Sequence, residues 1–255
     1  MKKKQSDGRS VKSAETTFAI IESIDELDEA GVSELANELP FAKSTVHKHL
    51  QTLHRCEYVV RENGTYRLSL KHLMFGKHVL SRVDIAEQSQ TVIDHLADET
   101  GEAVWTAIEE HGRAVYVSKA IGNRAVPSRG GIGERVDLHS AAIGKALLAH
   151  LPDDRVHEII QERGLSEMTP DTITDQGELM AELEQIRDRG VAFNEGESLR
   201  GLRAVASPVM HEDELEGAIA IVGTENRMKG TYFEDELPHM VRGTANEIEL
   251  NLAYS

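Results

Sequence analysis

Apolar residues recur at helical spacing from the first part of the chain. Phe18, Ile21 and Ile24 lie three residues apart, and the acidic residues of the segment fall on the opposite side. This pattern is typical of an amphipathic helix with one buried face, so it predicts a first helix over about residues 13 to 30. Gly31 is expected to end that helix, because glycine readily adopts the left-handed conformation that follows many helices.

A shorter apolar pattern predicts a second helix. Leu35, Ala36 and Leu39 can share one buried face, and Ser33 is a suitable cap for the start of the helix. Pro40 then forces a turn, because the proline ring disrupts a continuing helix. The chain therefore makes two helices and a turn before its next apolar repeat.

The third helix, predicted over about residues 42 to 55, has the sharpest pattern. Val46, Leu50 and Leu53 fall at positions i, i+4 and i+7 and form one buried face. The residues outside that face are short, polar or basic and include no carboxylate. They are Lys43, Ser44, Thr45, His47, Lys48, Gln51, Thr52 and Arg55. Such a surface suits a helix that enters the major groove of DNA between phosphates and base edges.

A hairpin is predicted directly after the third helix. The segments 58 to 60 and 65 to 68 are rich in strand-forming residues, and Asn63-Gly64 between them is a strong two-residue turn signal. Helix, turn, helix and hairpin together form a winged helix-turn-helix. The wing would carry Arg61 and Arg67 beside the third helix, where both can contact phosphates or an adjacent minor groove.

The remainder of the chain mixes helices with strands. Two helices are predicted over about residues 70 to 82 and 84 to 98, and a hairpin around His111-Gly112 follows. A buried helix is predicted over about residues 141 to 151. The fold class is therefore α+β, in three parts: residues 1–69 form the winged helix-turn-helix domain, 70–98 the linker helices and 99–255 a C-terminal α/β domain.

Charge changes the functional picture. The chain has a formal net charge of −16, yet residues 40–80 hold seven Lys or Arg against two Glu, and five of the twelve histidines. A positive region on a negative molecule is typical of a protein that holds a polyanion at one face. Residues 81–255 hold 16 basic and 33 acidic residues, which suits a salt-rich cytoplasm, with an ordinary acidic domain as the alternative.

Several classes of protein are disfavoured. The single cysteine, Cys56, excludes an internal disulfide and a cysteine-based zinc cluster. No apolar run reaches the length of about 18 residues that a membrane helix needs, and no apolar segment follows the basic start, so we expect a cytoplasmic protein. His139, His150 and His157 lack compact metal-ligand spacing, and no hydrolase elbow or phosphate-binding loop is present. We therefore expect no catalysis, no metal and no cofactor.

Three stretches together carry a family resemblance. They are KSTVHKHLQTL at 43–53, LHSAAIGKALLA at 138–149 and GVAFNEGESLRGLRAVASPV at 190–209. In this order and spacing the chain resembles the IclR family of transcriptional regulators, over about residues 13 to 252. Its acidic composition is similar to that of a haloarchaeal-type member.

The resemblance implies both architecture and partners. It implies an N-terminal winged helix, a linker helix and a C-terminal effector-binding domain related to the GAF and profilin-like folds. It also implies homodimers, which often pair into dimers of dimers on double-stranded operator DNA, and small organic metabolites as effectors. Matched motif by motif, the ligand-contacting positions of the family fall on Ala142, Ile143, Asn194, Ala204, Ala220 and Val222.

The expected pocket combines a carboxylate seat with apolar walls. A helix that starts near Ser140 would present free backbone N–H groups and a positive dipole end, and Gly144 would let a ligand approach the backbone. Family members that bind glyoxylate or pyruvate carry an acid, a cysteine and serines where this chain has Asn194, Ala204, Ala220 and Val222. A larger or more hydrophobic effector is therefore expected. Trp105 and Tyr116 are candidates either for the pocket wall or for core packing.

These observations favour a ligand-responsive DNA-binding transcriptional regulator of metabolic genes. One alternative is a small-molecule-binding or catalytic protein whose winged helix contacts other proteins. Another is a constitutive architectural DNA binder with a vestigial effector domain. The carboxylate-free outer face of residues 43 to 55 argues against the first alternative, because a protein-contacting helix has no general need to avoid acids.

Overall fold

The computed structural model describes residues 10–126 and 130–254. The chain folds as two compact units, the first ending at Val79 and the second beginning at Leu80. The predicted linker of residues 70–98 is divided between them, since its second helix packs into the core of the second unit.

The first unit is a three-helix winged fold with a further helix after the wing. Its elements are α1 (Lys12–Leu27), β1 (Ala30–Gly31), α2 (Val32–Glu38), α3 (Lys43–Arg55), β2 (Val59–Glu62), β3 (Thr65–Leu68) and α4 (Lys71–Leu80). The strands form an antiparallel sheet in the order β1-β3-β2. This architecture confirms the predicted winged helix-turn-helix.

Helix α3 and the wing follow the predicted pattern. Val46 and Leu50 are fully buried and Leu53 is almost so, all on the face turned toward the core of the first unit. The turn between β2 and β3 has positive φ at Asn63 (50°) and Gly64 (94°), as a tight hairpin turn requires. Because the apolar face of α3 packs against the core, its polar face is turned toward solvent.

Helix α1 differs from the prediction at its end and in its buried face. It ends at Leu27, because Asp28 has φ of 64° and breaks the helical backbone. Ala30 then pairs with Tyr66 as strand β1. Phe18 is 63% exposed, whereas Ile20 and Ile24 are fully buried, so the true apolar stripe is rotated away from Phe18.

Helix α2 starts two residues earlier than a Ser33 cap would require. Val32 is already helical and Gly31 is the capping residue. The backbone N–H of Gly31 donates to the Glu34 carboxylate at 3.3 Å, which satisfies a donor at the helix start. Ser33 is therefore not the cap.

The second unit is built on a six-stranded antiparallel sheet. Its helices are α5 (Asp84–Thr100), α6 (Ala142–His150), α7 (Asp153–Arg163), α8 (Gln176–Arg189) and α9 (Leu237–Ala253). Its strands are β4 (Ala103–Glu110), β5 (Arg113–Ile121), β6 (Arg135–Asp137), β7 (Ala192–Glu195), β8 (Leu202–His211) and β9 (Glu214–Thr224). The strand order is β6-β5-β4-β9-β8-β7, and every neighbouring pair is antiparallel.

The two faces of this sheet carry different side chains. Helices α5 and α9 cover a face of larger residues such as Val104, Val205 and Ile219. Helix α6 covers the other face, which is dominated by alanines, and α7 and α8 contribute to the same hydrophobic core. These are Ala103, Ala107, Ala114, Ala192, Ala204, Ala206, Ala218 and Ala220. Small side chains on one face bring α6 close to the sheet and leave open volume near its N-terminus.

Candidate DNA-binding surface and ligand cavity

The outer face of α3 carries the predicted DNA contacts. Five of its predicted residues are exposed and Thr45 is half-buried; the exposed ones are Lys43, Ser44, His47, Lys48 and Arg55. Within residues 10–126 and 130–254, the side chains of Lys43, Lys48 and Arg55 form no ion pair. Their charges are therefore available to phosphates.

The wing arginines are less free than the α3 lysines. Arg67 pairs with Glu62 at 3.0 Å on the neighbouring strand. Arg61 lies over the Tyr66 ring, with its guanidinium carbon 5.6 Å from the ring centroid. Both arginines are exposed, and exposed ion pairs are weak, so Arg67 can exchange Glu62 for a phosphate.

Other basic residues of the stretch support α3 instead of facing outward. Lys71 Nζ donates to the Cys56 carbonyl at 2.8 Å and lies 4.6 Å from the centroid of the Tyr58 ring. His72 hydrogen-bonds the Tyr58 carbonyl at 3.0 Å, and His49 hydrogen-bonds a threonine of α1. The count of basic residues included these groups in the positive region of the chain. Their hydrogen bonds are made to other residues of the first unit.

A cavity of about 600 Å³ lies between the alanine face of the sheet, the N-terminus of α6 and the segment that connects β7 to β8. Six of the seven predicted effector contacts line it. They are Ala142, Ile143, Asn194, Ala204, Ala220 and Val222. The six residues that the family resemblance selected are thus far apart in the sequence but line the same cavity.

Gly144 does not line this cavity. A Cβ at this position would lie 2.4 Å from the Leu138 carbonyl oxygen and 2.5 Å from its Cα. The glycine therefore allows the turn before α6 to pack against the helix, and the close approach is made by protein backbone, not by a ligand.

The N-terminus of α6 offers hydrogen-bond donors to the cavity. Ala141 is the capping residue and its side chain cannot accept a bond from the helix. The backbone N–H groups of Ala142 and Ile143 have no acceptor within the part of the chain that the structure describes. Unpaired donors at the positive end of a helix favour an anionic group there.

Asn194 lines the cavity as expected, but its polar atoms are bonded to the protein. Its side chain is 2% exposed, and its amide nitrogen donates to the Ser140 carbonyl and to Ser198 Oγ at 3.2 Å. Its amide oxygen accepts from the Gly196 N–H at 3.0 Å. The polar atoms of Asn194 are thus engaged by the protein, and they tie the start of α6 to the segment after β7.

Two aromatic side chains form one wall of the cavity. Trp105 and Tyr116 have ring centroids 4.4 Å apart, and Lys119 Nζ lies 4.4 Å from the centroid of the Trp105 ring. Burial, with a smaller effect of the Glu134 carboxylate, raises the pKa of Tyr116 to about 12. Among the described residues the Tyr116 hydroxyl has no hydrogen-bond partner, so it can donate to a ligand.

The segment after β7 supplies cavity residues that the sequence did not predict. Leu199 and Arg200 line the cavity and are exposed. Arg200 forms no ion pair with any described residue, whereas Arg203 is held by Glu195 at 2.8 Å and by the Met228 carbonyl at 3.0 Å. The glycines on either side, Gly196 and Gly201, were the only sequence signal for such a segment.

A buried lysine lies behind this segment. Lys145 on α6 is 1% exposed, and its Nζ lies 2.6 Å from Glu197 and 3.8 Å from Glu182. Glu182 also pairs with Arg189 at 2.7 Å. Burial raises the pKa of the Glu197 carboxyl, against the opposing effect of the Lys145 ammonium. Two cations and two carboxylates thus form a neutral network.

The remaining sequence candidates do not form a further site. Among residues 10–126 and 130–254, no group of three His, Cys, Asp or Glu could hold a metal ion. His139, His150 and His157 each hydrogen-bond a backbone carbonyl. No helix in the described ranges combines the length and hydrophobicity that crossing a bilayer takes.

Comparison with known sequences identifies the family. Residues 77–250 match the family described as "Bacterial transcriptional regulator IclR C-terminal", and residues 13–63 match the "IclR helix-turn-helix domain". The chain belongs to the IclR family. An IclR-type helix-turn-helix and an effector-binding C-terminal domain are therefore assigned to the two units of this regulator.

Individual relatives agree with the IclR assignment. The chain is 27% identical over 249 residues to a probable HTH-type transcriptional regulator ArcR of Halobacterium salinarum, which covers 96% of this chain and 95% of that protein. The crystal structure of Thermotoga maritima IclR is 28% identical, with a TM-score of 0.78 over 95% of this chain and 99% of that one. These relatives are named as regulators and not as enzymes, and one comes from a haloarchaeon.

A more distant structure shares the fold. It is an IclR homologue from Microbacterium hydrocarbonoxydans, solved in complex with 4-hydroxybenzoate. Its identity is 19% and its TM-score is 0.77, over 94% of this chain and 100% of that one. At this identity the similarity establishes the two-domain fold alone.

Proposed function

We propose that this IclR-family regulator binds operator DNA through α3 and the wing, and that a small organic metabolite in the cavity changes that binding. The observation that carries the proposal is the cavity of about 600 Å³ with unpaired N–H donors at one end and alanines along its floor. A cavity of this size suits a ligand of metabolite dimensions.

The DNA part of the proposal rests on the face of α3. Ser44, His47 and Lys48 lie near the helix N-terminus, where contact with base edges is geometrically easiest. Lys43 and Arg55, near the two ends of the helix, can contact phosphates together with the wing arginines. We assign sequence reading to the first group and affinity to the second.

The chemistry of the cavity points to a carboxylate with an apolar body. The free N–H groups of Ala142 and Ile143 can donate hydrogen bonds to the carboxylate, and Arg200, which also lines the cavity, can pair with an anion. Ala204, Ala220 and the aromatic wall would then cover the apolar part of the ligand. The distant relative that binds 4-hydroxybenzoate supports a ligand of this kind and size.

A dimer would connect the two activities. Helix α4 and the residue before it expose apolar side chains, with Leu70 83%, Met74 59% and Val79 61% accessible, and these suit contact with a second copy. Ligand binding would reorient the subunits through residues 70–98 and change the spacing of the two α3 helices relative to their half-sites. We expect this regulator to act in the cytoplasm, on genes of the metabolism of its effector.

The DNA contact can be tested with a charge reversal on α3. Lys48→Glu should weaken binding to the protein's own promoter at least about tenfold, because it removes a groove-facing cation and adds a repelling charge. Lys12→Glu makes the same charge change at the exposed start of α1 and is the matched control. Mobility shifts at fixed KCl measure both, and equal loss in the two variants would refute contact through α3.

The ligand site can be tested by filling the cavity. Thermal shifts should be larger for aromatic or branched carboxylates than for glyoxylate or pyruvate, because the walls are apolar. Val222→Trp should remove the shift, whereas Ile121→Trp adds the same ring at an exposed position and should retain it. Tight glyoxylate or pyruvate binding by calorimetry, or an undiminished shift in Val222→Trp, would contradict the proposed site.

A further inference from the structure

One wall of the cavity is a short connecting segment and not a regular element. Between β7 and β8 the chain passes through Gly196, Glu197 and Gly201, and residues 198 to 203 line the cavity. The sheet and α6 form two other walls, and their backbones are fixed by regular hydrogen bonds. Part of the segment between β5 and β6 also lines the cavity. The wall formed by the segment between β7 and β8 can therefore move without breaking a sheet or a helix.

The segment has the conformation of a hinged flap. Gly196 and Gly201 have φ of 95° and 80°, a region that glycine adopts without strain. Between them, Leu199 is 58% exposed although it borders an apolar cavity. A leucine in that position gains burial if the segment closes over an apolar ligand.

The first end of the flap is held by buried contacts. The Glu197 carboxylate lies 2.6 Å from Lys145 Nζ, and its carbonyl accepts from Thr172 Oγ1 at 2.7 Å. The Gly196 carbonyl accepts from Thr169 Oγ1 at 2.9 Å. Beyond Glu197, the Asn194 amide donates to Ser198 Oγ, and the backbone N–H of Leu202 donates to the Leu199 carbonyl. The second end is held where the Gly201 carbonyl accepts from the Glu225 N–H at 2.9 Å.

A lysine that is 1% exposed is unfavourable unless its charge is compensated. Lys145 is compensated by Glu197 at close range and by Glu182 at 3.8 Å. Breaking the contact with Glu197 leaves a buried charge on each side, so the flap cannot shift at this end without strong resistance.

We propose that the Lys145–Glu197 ion pair is the latch that anchors this flap and thereby positions Leu199 and Arg200 over the ligand. Lys145 and Glu197 are positioning residues, because neither lines the cavity. The inference rests on the proposed ligand function of the cavity. It adds a regulatory element to it: the latch sets how often the cavity opens to solvent.

Trp105 provides a direct readout, because it is the single tryptophan of the chain, lines the cavity and is 4% exposed. We expect acrylamide quenching of its fluorescence, in the full-length protein without ligand, to rise at least about threefold in Glu197→Gln and in Lys145→Met, because the flap opens locally. Trypsin cleavage after Arg200, identified by mass spectrometry, should increase in parallel.

Arg187→Met is the matched control, since it breaks an exposed pair of α8 with Asp153 at 3.3 Å and should leave quenching at the wild-type level. If Glu197→Gln and Lys145→Met are folded but show wild-type quenching and cleavage, the pair contributes stability only and the latch is refuted. If Lys145→Met does not fold, Glu197→Gln alone decides. No ligand is used, so a ligand screen that fails would overturn the proposed function without changing this result.

Discussion

Tyr116 is the residue whose acid–base chemistry the cavity alters most clearly. Its phenol is removed from water on the cavity wall, and the Glu134 carboxylate further disfavours the phenolate, so the pKa rises from 10.0 to about 12. The neutral phenol is therefore a hydrogen-bond donor throughout the physiological range. The folded state retains this proton longer than the unfolded chain does, and the associated stability is present below pH 10 and is lost as the pH rises toward 12.

A tyrosinate titration tests this state. Among the five tyrosines, Tyr116→Phe should delete an absorbance step centred near pH 12 and leave the steps at lower pH unchanged. The same variant should lose less unfolding free energy between pH 10 and pH 12, measured by urea denaturation. Tyr254→Phe, which changes an exposed tyrosine, is the control. Loss of a step at ordinary tyrosine pH in Tyr116→Phe would show that the hydroxyl is hydrated.

Residue roles were only partly predictable from the sequence. The small residues Ala204 and Ala220 were placed in the cavity through the family resemblance, and both line it. The roles of Asn194 and Gly144 were not predictable, because each depends on a backbone segment far away in the chain or on a tight turn. The burial of Lys145 was also hidden, since an isolated lysine in a sequence gives no sign of two carboxylates that arrive from α8 and from the segment after β7.

At the scale of elements, a helix or strand was predicted more accurately where its pattern of apolar and polar residues fits a single face. Helix α3 has one apolar face and one polar face, and its bounds and buried residues were predicted almost to the residue. Helix α1 contains adjacent isoleucines as well as Phe18, so two different faces fit the pattern and packing against the first-unit core chose between them. Strands β1 and β6 have two and three residues, too short for any periodicity, and they exist because a partner strand pairs with them.

The alternation along β9 is the element-level reason for a cavity. Ala218 and Ala220 point to the face beneath α6, while Ile219 and Ile221 point to the face beneath α5 and α9. A strand with two hydrophobic faces is expected when both faces of a sheet are covered. The side chains on one face are smaller than those on the other, and this difference leaves volume for a ligand on the alanine side. The alternation of alanine and isoleucine has a period of two in the sequence.

At the scale of the whole molecule, basic and acidic residues are unevenly distributed between the first unit and the rest of the chain. Residues 81–255 carry 33 acidic and 16 basic residues, with Lys119, Lys145 and Lys229 as the only lysines. Lys145 is buried against Glu197 and adds no free positive charge to the surface, and the net charge of these residues is negative. Under the proposed function, attraction to DNA must therefore come from the first unit. In a salt-rich cell the release of counterions contributes less, so the proposed base contacts from α3 must carry more of the specificity.

The same excess of acid predicts that salt stabilises the fold. Screening weakens repulsion between exposed carboxylates, so the melting temperature should be higher in molar KCl than in dilute buffer.

Glu184 and Asp188 are exposed, lie four residues apart on α8 and form no ion pair with any described residue, so they repel each other. Glu184→Gln with Asp188→Asn should raise the melting temperature in dilute buffer and reduce the increment produced by KCl. Gln161→Asn, an uncharged change at an exposed position of α7, is the control. A wild-type protein at least as stable in dilute buffer as in KCl would refute adaptation to salt.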